Sequence, residues 1–85
     1  MNNNPQHDLA YYLTLPYTIE VIADEDGGWF VHIPLLEGCM SQGDTWEEVL
    51  EMINDAKEGW LWVALKYGHI IPEPSVIEMQ ALQVE

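Results

Sequence analysis

The sequence predicts an α+β fold, a two-layer sandwich in the order βββαβ with one helix packed on a four-stranded sheet. Three patterns predict it. An Asp-Gly pair, Asp26-Gly27, separates two alternating apolar runs and indicates a β-hairpin. Apolar residues recur at spacings of three and four from Trp46 to Tyr67, which indicates a helix. After two prolines, residues 76–85 alternate in part and predict the fourth strand.

The chain is expected to begin with an N-terminal arm, partly disordered, over residues 1–16, followed by one domain over residues 17–85. Residues 9–15 are apolar without a clear period, so this part of the arm is expected to be extended or weakly helical. Tyr11 and Tyr12 are too apolar to remain in water without cost. The arm therefore covers apolar surface or contacts another subunit.

Two alternating runs predict the first two strands, Tyr17–Ala23 and Trp29–Ile33. Phe30 and His32 fall on the face of the sheet opposite to Val31. Because a single helix covers only one face, the other face is left for the arm or a second chain. A homo-oligomer, dimer or tetramer, is therefore expected. Its expected contact residues are Tyr11, Tyr12, Phe30 and His32.

A short third strand, Cys39–Gln42, is bracketed by Gly38 and Gly43, which permit backbone angles that other residues resist. The helix is predicted to start after Thr45, whose hydroxyl can accept the backbone N–H of Glu48. The Glu48 carboxylate can reach back to the N–H of Thr45, which would complete a capping box. These residues are assigned to folding and not to binding.

Acidic residues dominate the charge of the protein. The sequence contains fifteen Asp and Glu residues but only two basic residues, Lys57 and Lys66, which gives a formal net charge of −13 at pH 7. This surface repels phosphate backbones, so direct nucleic-acid binding is not expected. The same field attracts a basic partner, although acidity also serves solubility alone. The candidate partner-binding residues are the hairpin acids Asp24, Glu25 and Asp26 and the helix acids Glu47, Glu51, Asp55 and Glu58.

No motif points to catalysis, and no catalytic, cofactor-binding or metal-binding residue is predicted. A two-metal nuclease cluster of Glu20, a helix acid (Glu48 or Glu51) and Glu78 is the nearest alternative. It lacks the closely placed Asp residues on strand ends that such sites use. The protein is therefore not expected to be an enzyme or to hold a cofactor.

The lone cysteine, Cys39, cannot form an intramolecular disulfide, which is consistent with a reducing compartment. No apolar run reaches 18 residues, so no membrane span is predicted. The first eight residues contain no Lys or Arg, unlike a signal peptide. A cytoplasmic location is the expectation.

The stretch from Tyr17 to Pro74 resembles the N-terminal domain of the HicB antitoxin family. The resemblance depends on several short pieces in a fixed order, each weak alone. The pieces are Tyr17-Thr18-Ile19-Glu20-Val21, Asp24 to Gly28, an aromatic strand ending in Ile33-Pro34, Gly38-Cys39, Ser41-x-Gly43-Asp44-Thr45-x-Glu47-Glu48, and Ile71-Pro72-Glu73-Pro74. Two positions depart from the family pattern, Leu35 in place of an acid and Val49 in place of Ala.

The resemblance implies a partial ribonuclease H-like fold without that enzyme's catalytic acids. It also implies an antitoxin that binds a small basic mRNA-cleaving toxin of HicA type and masks its RNA-binding or active surface. Complete members often carry a C-terminal DNA-binding domain, for which a chain ending at Glu85 leaves no room, so autorepression is not expected. The alternative is an orphan oligomeric domain, regulatory or structural, without a toxin partner.

Overall fold

A computed structural model describes residues 7–74. Within them the order of elements is α1 (Leu9–Leu13), β1 (Glu20–Ala23), β2 (Trp29–His32), β3 (Met40–Gly43) and α2 (Trp46–Tyr67). The three strands form an antiparallel meander in the order β1-β2-β3. The predicted α+β class and hairpin are confirmed, whereas the predicted fourth strand lies outside the described residues.

The register of the sheet explains which side chains face α2. Val31 on the central strand pairs with Val21 on β1 and with Ser41 on β3, so these three residues share one face. Val31 is fully buried on that face, and α2 packs against β2 and β3 there. The opposite face remains without a covering layer in the part of the chain that the structure describes.

The core lies between the sheet and the inward side of α2. Its largest fully buried side chains come from the sheet, the following loop and the helix: Val31, Ile33, Leu36, Val49, Ile53 and Leu61. Leu36 reaches the core because residues 33–39 turn tightly, with the Leu36 N–H donating to the Ile33 carbonyl and the Cys39 N–H donating to the Leu36 carbonyl. Gly38 has a φ of +88° there, an angle that favours glycine.

The N-terminal arm includes one short helix that closes over the end of the core. Asp8 caps α1 by accepting the N–H of Tyr11 at 3.0 Å. Tyr12 is only 8% exposed, and Tyr11 packs against the same cluster. The Tyr17 hydroxyl donates to the Pro72 carbonyl at 2.6 Å, so the segment before β1 is fixed by a side chain and not by the strand ladder. The first strand therefore starts three residues later than predicted.

Two details of the turn into α2 differ from the sequence prediction. Thr45 caps the helix as expected and accepts the Glu48 N–H at 3.1 Å. The Glu48 carboxylate, however, accepts the N–H of Asp44 at 2.8 Å instead of that of Thr45. Gly43 does not have a left-handed φ, so the prediction that this position needs the backbone freedom of glycine is wrong. Its role is close packing, since a Cβ there would lie 3.0 Å from the backbone nitrogen of Val49.

Candidate functional site

The outward side of α2 carries a row of carboxylates. Glu47, Glu51 and Asp55 follow one another at four-residue spacing, and Glu58 comes three residues later, so all four project from one side of the helix. All four are exposed. We call these four residues the acidic ridge. The buried side of the same helix, with Val49 and Ile53, turns the ridge away from the sheet.

The acidic ridge has no internal neutralising partner in the part of the chain that the structure describes. The one ion pair found within residues 7–74 joins His32 Nε2 to Glu20 Oε1 at 2.6 Å, and it lies on the sheet. Lys66 sits instead over the rings of Trp62 and Tyr67 near the end of α2. Like charges at four-residue spacing repel one another, so a cationic surface placed against the ridge would relieve that repulsion.

The hairpin acids form a second acidic surface. Asp24 accepts the N–H of Asp26 at 3.0 Å, and the turn closes through the Gly27 N–H and the Asp24 carbonyl. Asp24 also lines a recess of about 270 Å³ together with Asp44 and Glu48 at the start of α2. The hairpin and the helix N-terminus therefore meet. Asp44 also belongs to this surface and was not among the predicted partner-binding residues, although its position directly before the helix cap indicated it.

The uncovered face of the sheet carries exposed apolar side chains. Ile22 and Met40 are each 51% exposed, with Phe30 and His32 half-buried between them. The rings of Phe30 and His32 lie 5.6 Å apart. The two predicted sheet contacts thus lie together, and the flanking residues Ile22 and Met40 extend the patch. We refer to this surface as the open sheet face.

The predicted arm contacts lie elsewhere and are already engaged within the chain. The Tyr11 hydroxyl donates to Glu73 Oε1 at 2.9 Å, and this hydrogen bond, with desolvation, raises the pKa of Tyr11. Burial raises the pKa of Tyr12 and, together with the nearby Glu73 carboxylate, the pKa of Tyr17 to about 12. The structure does not join these tyrosines to the open sheet face, and their role in an oligomer stays a prediction.

The remaining chemistry of the described residues is limited. Burial raises the pKa of the Cys39 thiol, and the nearby charge of Lys57 offsets only part of this rise. The thiolate is therefore disfavoured at neutral pH. Among residues 7–74 there is no group of three or more His, Cys, Asp or Glu placed to hold a metal ion. No helix in that part of the chain is both long and apolar enough to cross a membrane.

Comparison with known proteins identifies the family. The model of the HicB-like antitoxin of bacterial toxin–antitoxin systems matches residues 16–85. The chain belongs to this family. The HicB-like match covers all three strands and α2, and it includes both the acidic ridge and the hairpin acids.

Individual relatives of this HicB-like chain carry two kinds of name. It is similar to a UPF0150 protein of Thermoplasma acidophilum, with 34% identity over 65 residues, 76% of this chain and 94% of the relative. A UPF0150 protein of Synechocystis sp. is 38% identical over 56 residues, 66% of this chain and 77% of the relative. Antitoxin HicB 1 of Photorhabdus laumondii is 49% identical over 41 residues, 48% of this chain but 25% of that protein.

Proposed function

We propose that this protein is an antitoxin that neutralises a small basic mRNA-cleaving toxin of HicA type by masking its RNA-binding or active surface. The observation that carries the proposal is the acidic ridge, four exposed carboxylates on one side of α2 without an ion-pair partner in the described residues. The family assignment supplies the class of partner. The protein acts in this proposal by binding, without catalysis and without a cofactor, in the cytoplasm where mRNA is translated.

Electrostatics supports a basic partner. A toxin that binds RNA must present basic side chains to the RNA phosphates. The row of carboxylates on α2 can bind the same basic side chains in place of the phosphates. The hairpin acids Asp24, Glu25 and Asp26 provide a second contact, since Asp24 shares a recess with the start of the helix that carries the ridge. The protein's charge of −13 would also speed the encounter at low salt.

The same proposal includes a fourth strand that completes the sheet. Pro74 lines a groove with Thr18 and Glu20, so the chain leaves the described region beside the start of β1. A strand formed by residues 76–85 would pair with the free edge of β1 and complete the partial ribonuclease H-like sheet. This placement supports the four-stranded arrangement that the sequence predicts.

The test is binding to a small basic protein encoded beside the gene, measured by calorimetry with the purified 85-residue chain. Glu51→Lys is expected to weaken binding by about tenfold or more, because it places a cation at the centre of the ridge. Glu37→Lys is the matched control: it makes the same change in net charge on the opposite flank of α2, where Glu37 accepts the indole N–H of Trp60 through its backbone only.

The salt dependence of the complex separates the electrostatic part of the proposal from the rest. The wild-type complex is expected to weaken as salt rises, and the Glu51→Lys complex is expected to respond less. If both lysine variants lose affinity equally, overall charge and not the ridge governs binding. Inhibition of RNA cleavage by the toxin, followed with and without the protein, checks that binding masks the active surface.

The open sheet face favours a second candidate, an orphan oligomeric domain, regulatory or structural, without a toxin. Exposed Ile22 and Met40 beside Phe30 and His32 form a surface suited to a homo-oligomer, dimer or tetramer. In this candidate the contacts are Phe30 and His32, with Tyr11 and Tyr12 from the arm. Self-association without affinity for any basic neighbour would favour it over the antitoxin.

A further inference from the structure

The outward side of α2 changes from acidic to aromatic along its length. Trp62 comes four residues after Glu58, and Lys66 comes four residues after Trp62, so both side chains continue the line of the acidic ridge. Glu58 is the last carboxylate of the helix. The acidic ridge therefore leads directly to the indole ring of Trp62.

The fold makes no use of the Trp62 side chain in the part of the chain that the structure describes. Trp62 is 53% exposed and does not pack against the core cluster. Trp60 on the same helix does pack there, and its indole N–H donates to the Glu37 carbonyl at 2.9 Å. A Cβ at Gly59 would meet nothing within 4 Å, so the helix surface one turn before Trp62 is open. An exposed tryptophan beside a charged surface is typical of the residues that dominate binding.

The ring of Trp62 already attracts a cation from its own chain. The Nζ atom of Lys66 lies 4.9 Å from the centroid of the ring. A cation at this distance is attracted by the negative face of an indole. Lys66 is exposed and makes no ion pair with another of residues 7–74, so a competing cation can displace it without breaking a salt bridge there. The ring is thus placed to accept a cation from another molecule.

Charge complementarity indicates the chemistry of that molecule. A second copy of the chain would bring its own acidic ridge against this one, whereas a basic protein would neutralise it. Among basic side chains, arginine fits this position best, because its planar guanidinium can stack on an aromatic ring and donate to a carboxylate at the same time. Glu58, one turn before Trp62, supplies the carboxylate.

We propose that Trp62 anchors one end of the partner surface, where an arginine of the basic partner displaces Lys66, stacks on the indole and pairs with Glu58. The inference rests on the proposed function for the partner, a basic protein, and it adds the residue that selects arginine over lysine. The acidic ridge attracts the partner by charge, and Trp62 fixes its position along α2.

Calorimetry with two synthetic peptides of equal length, oligo-arginine and oligo-lysine, tests the anchor on the full chain. Trp62→Leu removes the ring and keeps an apolar side chain. It is expected to lower the preference for the arginine peptide about threefold, because the stacking contribution is lost. Tyr67→Leu is the matched control, since the Tyr67 ring also lies near Lys66 but projects from a different side of the helix. It is expected to leave the preference unchanged.

The two lysines of the chain test the displacement. Lys66→Met uncovers the indole and is expected to increase the affinity for the arginine peptide at least about twofold more than Lys57→Met does. Lys57→Met is the matched control, because it makes the same change in net charge on the same helix away from Trp62. Equal gains from the two variants would show that charge alone acts, and they would overturn the displacement of Lys66.

The basic protein encoded beside the gene separates this proposal from the proposed function. Trp62→Leu is expected to raise the dissociation constant of that complex about tenfold. A complex that Glu51→Lys weakens and Trp62→Leu does not would leave the antitoxin function standing and overturn the anchor. An arginine preference that depends on Trp62, found without binding to the neighbouring protein, would support the anchor and overturn the toxin assignment.

Three other results would refute the anchor. The first is a preference for arginine that Trp62→Leu leaves in full. The second is the absence of binding to either peptide, which would mean that the helix surface is not accessible. The third is self-association, followed by sedimentation, that Trp62→Leu weakens while binding to the arginine peptide is unchanged, because the ring would then belong to a contact between two copies.

Discussion

Replacing Gly43 with alanine should destabilise the protein, although alanine is usually the better residue for an ordered backbone. Gly43 ends β3 where the strand passes under the first turn of α2. An added Cβ would lie 3.0 Å from the backbone nitrogen of Val49, 3.1 Å from its Cα and 3.2 Å from Cγ of Glu48. Two of these three atoms belong to the helix backbone, which cannot move aside as a side-chain tip can.

The size of the effect follows from two opposing contributions. Restricting the unfolded chain by replacing glycine with alanine stabilises a protein by about 0.4–1 kcal/mol where the backbone fits. Forcing extra volume into a packed contact costs about 1–3 kcal/mol. Separation of β3 from the start of α2 would also strain the Thr45 cap. We expect a net loss of about 1–2 kcal/mol in the free energy of unfolding.

Urea unfolding followed by tryptophan fluorescence measures this loss. With a slope of about 1 kcal/mol per molar urea, the midpoint of Gly43→Ala should fall by about 1–2 M. Gly59→Ala is the matched control, since its Cβ meets nothing and the helix should gain about 1 kcal/mol. Equal shifts in the same direction for the two variants would refute the packing argument.

Three further outcomes follow from the fold. Thr45→Ala should cost about 1 kcal/mol of stability in the same urea assay, since the Glu48 N–H loses its acceptor; no loss would mean that water replaces the cap. Leu36→Ala should cost about 3 kcal/mol, because the side chain is fully buried, and a loss under 1 kcal/mol would show that the loop leaves the core in solution. The protonated Tyr17 phenol stabilises the fold below pH 10, and this stabilisation should disappear as pH rises toward 12, because the folded-state pKa is the higher one. After allowance for partial solvent screening the change is about 1–2 kcal/mol, measured by urea titration at each pH. Tyr17→Phe should remove this part of the pH dependence, and an unchanged pH profile would contradict it.

The regular elements were predictable because their signals are local. The Asp-Gly hairpin, the period of α2 and the Thr45 cap each depend on residues within a few positions of one another, and each is found where the sequence predicts it. Gly38 was also predictable, since a left-handed corner favours glycine. These features need no knowledge of distant contacts.

The remaining details depend on contacts between distant parts of the chain. Nothing near Tyr17 indicates that its hydroxyl reaches Pro72, 55 residues away. The sequence suggested that Gly43 is needed for its backbone freedom, whereas its role is to let the backbone of Val49 in α2 approach β3 closely. The acidic ridge was predictable from spacing alone, but the recess that joins Asp24 to Asp44 follows from how the hairpin folds over the helix start.

The arm contacts also determine how the chain could be reconnected. The ring of His7 stacks on Tyr11 with centroids 4.3 Å apart, and Tyr11 is hydrogen-bonded to Glu73, so the two ends of the described region share one corner of the molecule. Circular permutation needs such neighbouring ends. New termini at Gly27, in the tip of the hairpin, would leave every helix and strand of residues 7–74 uncut.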